Sequence, residues 1–122
     1  MKLARLGSVV AMGVAAVGFA AGSASASGLV YSADGGASVG YDSSTEYWTV
    51  CDEKADGHAA VGRMYYQGHL YATVWNKDGA HSCVTSRDEA WMPDGASIRL
   101  EACVGNAGKV KESSCVSRPD KA

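Results

Sequence analysis

The sequence predicts an all-β protein: a small antiparallel β-sandwich or small barrel with two disulfides, preceded by a signal peptide and a flexible N-terminal extension. Three observations carry this. No window of about 11 residues beyond the leader has the 3.6-residue periodicity of an amphipathic helix. Turn signals recur every 8 to 20 residues or so, at the spacing of short strands. Finally, Ser97 to Val104 alternates Ile98, Leu100, Ala102 and Val104 with Ser97, Arg99, Glu101 and Cys103, so one side of a strand faces a core.

Lys2 and Arg5 precede an apolar run from Leu6 to Ala21, and Ala24-Ser25-Ala26 supplies small residues at a cleavage position. The run is interrupted by Gly7, Gly13 and Gly18 and falls short of the roughly 20 residues of a membrane-spanning helix. Residues 1–26 therefore read as a signal peptide, and the product as secreted, extracellular and free of the membrane. Its removal takes away two of 11 basic residues and none of 13 acidic ones, leaving nine against 13 and a net charge of −4. That balance argues against nucleic acid as a partner.

Residues 27–44 are rich in Gly, Ser and Ala and lack cysteine, which predicts a flexible extension. Within it Leu29-Val30-Tyr31 forms an apolar cluster, while Val39 and Tyr41 leave open an additional edge strand. The domain proper is expected over 45–118, with 119–122 as a solvated tail. Thr45 to Glu53 is aromatic and β-branched and ends at the turn Lys54-Ala55-Asp56-Gly57. Ala59 to Tyr66 and Leu70 to Asn76 flank Gln67-Gly68-His69, which suits a hairpin with a three-residue loop. After Asn76-Lys77-Asp78-Gly79 the stretch 80–95 shows no period and reads as a long loop, followed by the strand from Ser97.

The four cysteines, Cys51, Cys83, Cys103 and Cys115, are an even number, separated by 32, 20 and 12 residues. These intervals are too wide for the close pairs of a zinc site, so no metal is expected. Two disulfides follow, in one of three connectivities. Cys51–Cys83 with Cys103–Cys115 is favoured, because the second pair closes the short polar segment Gly105 to Ser114 onto a strand.

Catalytic patterns are missing, so no catalytic residue, no cofactor and no enzyme activity is expected. His58, His69 and His81 lie near turns, 11 and 12 residues apart, without the i, i+4 spacing of helical metal ligands. No Gly-x-Ser-x-Gly elbow is present. Asp52-Glu53 and Asp88-Glu89 are neighbours that point to opposite sides of a strand. The turns at Asp56 and Asn76 lack the spaced oxygen ligands of a calcium loop, and Gly35-Gly36-Ala37-Ser38-Val39-Gly40 lacks the Lys and helix of a phosphate loop. What remains suits binding. Trp91, beside Met92 and Pro93 in the long loop, is a large aromatic of the kind that anchors interfaces, and Leu29, Val30 and Tyr31 can engage a partner in extended form. Trp48 and Trp75 are expected in the core.

The order Val50-Cys51-Asp52, Lys54-Ala55-Asp56-Gly57-His58, Val74-Trp75, Gly79, Cys83, Arg99 to Cys103 and Cys115 resembles a group of small secreted bacterial β proteins over residues 45–116. The architecture of extension plus domain is similar to the small adaptor subunit of umbrella toxin particles, secreted antibacterial assemblies. That resemblance implies that the extension enters the cleft of a lectin partner while the domain meets a large toxin subunit, with Leu29, Val30 and Tyr31 in contact. The expected function is a non-enzymatic adaptor or binding module for other secreted proteins. The alternative is an inhibitor of an extracellular hydrolase acting through 80–95. The Trp-Arg-Tyr tip of bacterial α-amylase inhibitors is absent, for the chain has Trp91-Met92-Pro93 and Arg63-Met64-Tyr65.

Overall fold

A computed structural model describes residues 28–87 and 92–122. The signal-peptide segment and Trp91 lie outside the described residues. The rest forms eight strands and no helix: β1 Val30–Tyr31, β2 Ala37–Asp42, β3 Tyr47–Asp52, β4 Ala59–Tyr66, β5 His69–Asn76, β6 Cys83–Arg87, β7 Ser97–Asn106 and β8 Lys109–Lys121. They make two four-stranded sheets, β1-β2-β3-β6 and β5-β4-β7-β8, in which every neighbouring pair is antiparallel. The sheets stack with β2 against β7 and β3 against β4, so this is the expected sandwich.

Alternation puts one side of each strand inside. The first sheet contributes Val30, Ala37, Val39, Tyr41, Trp48 and Val50, the second Ala60, Met64, Ile98, Leu100, Ala102 and Val104. Gly62 faces the opposite sheet with no room for a side chain: a Cβ there would lie 2.5 Å from Val50 Cγ2 and 3.2 Å from Val39 Cγ2. A side chain here has to push two buried β-branched residues on the opposite sheet. Gly62→Val is expected to destabilise by about 1–3 kcal/mol, read as a lower urea midpoint with an unchanged slope.

Buried Asn76 joins the layers. Its Nδ2 donates to the carbonyls of Val50 (3.1 Å) and Ser82 (2.8 Å), while Oδ1 accepts from Asp78 N (2.9 Å) and Ser82 Oγ (3.2 Å). The chain leaves the second sheet at this point, and the amide satisfies backbone groups that the crossing would otherwise strand.

Both disulfides have the favoured connectivity. Cys51 and Cys83 face each other across β3 and β6 on the outer side of the first sheet. Cys103–Cys115 spans β7 and β8 at an irregularity where Ala102 pairs with Val116 but Val104 pairs with Lys111. The extra β8 residues bulge, and Ser114 Oγ secures them by accepting from Val104 N (2.9 Å) and donating to Lys111 O (2.6 Å).

Five expectations need correction. Residues 28–44 form β1 and β2 of the first sheet instead of a flexible extension: the strand left open at Val39 and Tyr41 is present, inside the sheet and not at its edge, with Val39 paired with Val50 and Tyr41 with Trp48, and burial of these side chains offsets the entropy of a Gly-rich segment. The tail does not fray, since Pro119 and Asp120 pair with Arg99 and Ile98, and Ala122 exchanges backbone bonds with Gly95 and Ala96. The stretch 80–95 contains β6, which completes the first sheet beside β3. The β4–β5 loop has two residues, Gln67 and Gly68, both at positive φ (53° and 80°), because that geometry follows the natural twist of a hairpin and leaves His69 to pair with Tyr66. Trp75 is half-buried on the outer side of the second sheet, where it pairs with Val61 and packs toward Gly105.

Candidate protein-binding face and end cleft

Strand alternation separates the apolar cluster at 29–31. Val30 turns inward and is only 5% exposed, so it is a core residue and cannot contact a partner from the folded domain. Leu29 and Tyr31 turn outward, 54% and 49% exposed. Across the same sheet Tyr47, 45% exposed, also points out, because its neighbour Trp48 points in. Five large apolar side chains are exposed among the described residues, the other two being Leu70 and Val116, so three of the five belong to the outer side of one sheet.

The register defines how this face is laid out. Tyr31 pairs with Ser38, which pairs with Cys51 and, through it, Cys83. The next outward row is Gly40, Thr49 and Thr85, and the next is Asp42, Tyr47 and Arg87. Leu29 lies on Gly40, whose missing side chain makes room for it: a Cβ there would be 2.7 Å from Leu29 Cδ2. Arg87 stacks over Tyr47 with its guanidinium 6.0 Å from the ring centre. Leu29 is further held from the second sheet, because Arg118 Nη1 donates to its carbonyl at 3.0 Å. The result is a strip of Leu, Tyr, Thr and a disulfide, with Asp42 and Arg87 at one margin.

The other sheet presents a charged cluster on its outer side. Arg63 donates through Nη1 and Nη2 to both oxygens of Glu112 (3.0 and 2.7 Å) and through Nη1 to Glu101 (3.1 Å), while Tyr65 Oη donates to Glu101 at 3.1 Å. The Glu112 carboxylate raises the Arg63 pKa, burial with the Glu101 bond raises that of Tyr65, and Arg63 lowers that of Glu112. With Cys103–Cys115, this arrangement ties the β8 bulge to β4. Glu101, Cys103 and Cys115 bring potential donor atoms within 4.8 Å of one another, but both sulfurs are joined in the disulfide.

Asp34 and Asp42 have lowered pKa values for a related reason. The Asp34 carboxylate accepts from Gly36 N and Ser32 Oγ, and Asp42 accepts from Ser44 Oγ and Ser44 N. Groups with depressed folded pKa values stabilise the fold above their unfolded values, and that stability is lost as pH falls through the folded ones. Stability should therefore decline as pH drops below the ordinary values of 3.8 for Asp and 4.5 for Glu. Comparing thermal midpoints from neutral pH to about pH 3 tests this. Glu112→Gln should flatten the decline, and salt should weaken the difference because these groups are exposed.

At one end of the sandwich the crossing loops and the β7–β8 turn surround a cleft of about 590 Å³. His58, Asn106, Trp75, Lys54, Asp56 and Lys77 line it. His58 and Asn106 are far apart in sequence and meet because Ala59 pairs with Gly105. Sequence reading missed this pair, since neither position has a motif. The outward orientation of Tyr47, by contrast, follows once Trp48 is assigned inward.

No protein-family model, curated protein or solved structure matches this chain.

Proposed function

We propose that this chain is a non-enzymatic protein-binding module of the extracellular space, and that it binds through the outer side of the β1-β2-β3-β6 sheet. The observation that carries the reading is the convergence of Leu29, Tyr31 and Tyr47 on that side. Exposed apolar patches rimmed by polar groups characterise interaction sites, and tyrosine is enriched in them. The two disulfides are typical of extracellular proteins and fit an exported chain.

The resemblance to the adaptor subunit of umbrella toxin particles suggests the class of partner, namely other secreted subunits of an antibacterial complex. In this form of the proposal Leu29 and Tyr31 bind as fixed points on a sheet. Hydrolase inhibition through 80–95 has less support, because Cys83–Arg87 is occupied in pairing with β3.

Purification of the tagged mature protein from its native culture medium, with identification of co-purifying chains, tests the proposal. Recovery of large secreted partners is expected. A lone monomer that blocks a protease or amylase would contradict it.

A further inference from the structure

The end cleft is independent of the binding face and has the chemistry of a ligand site. Turned so that its NH2 donates to the carbonyls of Gly57 and Gly105 (2.8 Å each), the Asn106 amide accepts from His58 Nδ1 at 2.8 Å. Asp56 Oδ1 accepts from His58 N at 3.0 Å and secures the backbone of the same residue. With its proton on Nδ1, His58 keeps Nε2 as an acceptor. The same amide nitrogen lies 3.2 Å from His58 Nδ1, but with its two hydrogens directed to the carbonyls of Gly57 and Gly105 it has none left for the ring, so this arrangement favours the Nδ1-protonated tautomer.

Trp75 supplies an aromatic surface, and Lys77 Nζ sits 5.7 Å from its ring centre. The flexible Lys77 side chain covers that face and has to swing aside for a ligand to stack there; the positively polarised C–H faces of sugars suit the same ring surface. The charged side chains of the lining, Lys54, Lys77, Asp52 and Asp56, balance in sign, so the cleft selects neither an anion nor a cation. Its volume, about 590 Å³, falls in the range of small-molecule sites. An aromatic plane beside mixed donors and acceptors matches a ligand that has apolar C–H faces and hydroxyls able both to donate and to accept.

We propose that this cleft binds a neutral saccharide, stacked on Trp75 and hydrogen-bonded to His58 Nε2. Binding involves no covalent step.

The test is titration of the mature protein with neutral trisaccharides (maltotriose, cellotriose and triacetylchitotriose) and with a uronic-acid trisaccharide, followed by the NMR signals of the Trp75 indole N–H and the His58 imidazole. At least one neutral sugar at millimolar concentration is expected to shift both signals. His58→Ala should weaken that binding by roughly tenfold, and Trp75→Ala by more. Trp75 also covers buried Val61, so Trp75→Phe serves as a second variant that keeps an aromatic plane; it should retain binding and the thermal midpoint. No shift with any neutral sugar, preference for the uronic acid, or undiminished binding in His58→Ala would overturn the proposal.

Discussion

Trp48→Ala is expected to lower unfolding stability by about 3–5 kcal/mol, the usual cost of emptying a large aromatic site in a core. Trp48 is the largest fully buried side chain of the described residues. It projects from β3 toward the second sheet, where its ring comes within 3.3 Å of the Cβ position over Gly62. The surrounding residues cannot collapse into the space left behind, because Val50, Val39 and Leu100 sit on paired strands whose spacing is set by backbone hydrogen bonds. A domain of this size has about 5–15 kcal/mol in total, so the loss is a large share. Urea unfolding of both proteins measures it, and a change below about 1 kcal/mol would mean that Trp48 is not central to packing.

The second large effect concerns the disulfides, and here the two bridges are expected to differ. Cys51–Cys83 spans a sequence separation of 32 and encloses the whole β4–β5 hairpin together with two crossings between sheets. Cys103–Cys115 spans 12 and lies within one hairpin. On the loop-entropy model the first restricts the unfolded chain by about 3.7 kcal/mol and the second by about 2.8 kcal/mol. The paired variants Cys51→Ser/Cys83→Ser and Cys103→Ser/Cys115→Ser should both lower the thermal midpoint, the first by more. The second pair carries an additional local effect, because the β8 bulge then depends on Ser114 and on the Arg63–Glu112 ion pair alone. Equal losses would show that this local restraint compensates for the shorter loop.

Most of the fold was readable where alternation and turn chemistry coincide. Ala59 to Tyr66 and the inward set Ile98, Leu100, Ala102 and Val104 could be placed for that reason. The missed strands lack that coincidence. Cys83–Arg87 has five residues and gains its place by pairing with β3, which local sequence does not reveal. Residues 28–44 read as flexible because their Gly and Ser content signals low burial, yet the few apolar side chains, Val30, Val39 and Tyr41, all turn inward. Ser117 to Lys121 is polar and contains Pro119, features tolerated on the outermost strand of a sheet. Trp75 was expected in the core but lies on the outer side, because His69–Asn76 carries apolar residues on both sides and alternation there does not say which side faces inward.

The candidate sites follow the same division. Leu29, Val30 and Tyr31 read from the sequence as a single apolar cluster in a small-residue context, and only the pairing of Val30 with Val39 separates the inward residue from its two outward neighbours. Tyr47 joins them only through the register of β2 and β3, which positions Gly40 and its overlying Leu29 nearby. The His58–Asn106 pair is a product of tertiary structure alone.

The binding face is tested most directly by comparing the mature protein with Leu29→Asp/Tyr47→Asp in capture of secreted chains from native culture medium, with thermal midpoints measured in parallel. Both positions are outward, so the double variant should keep its midpoint close to that of the parent while losing the captured chains. Undiminished capture by a folded double variant would contradict binding through this face.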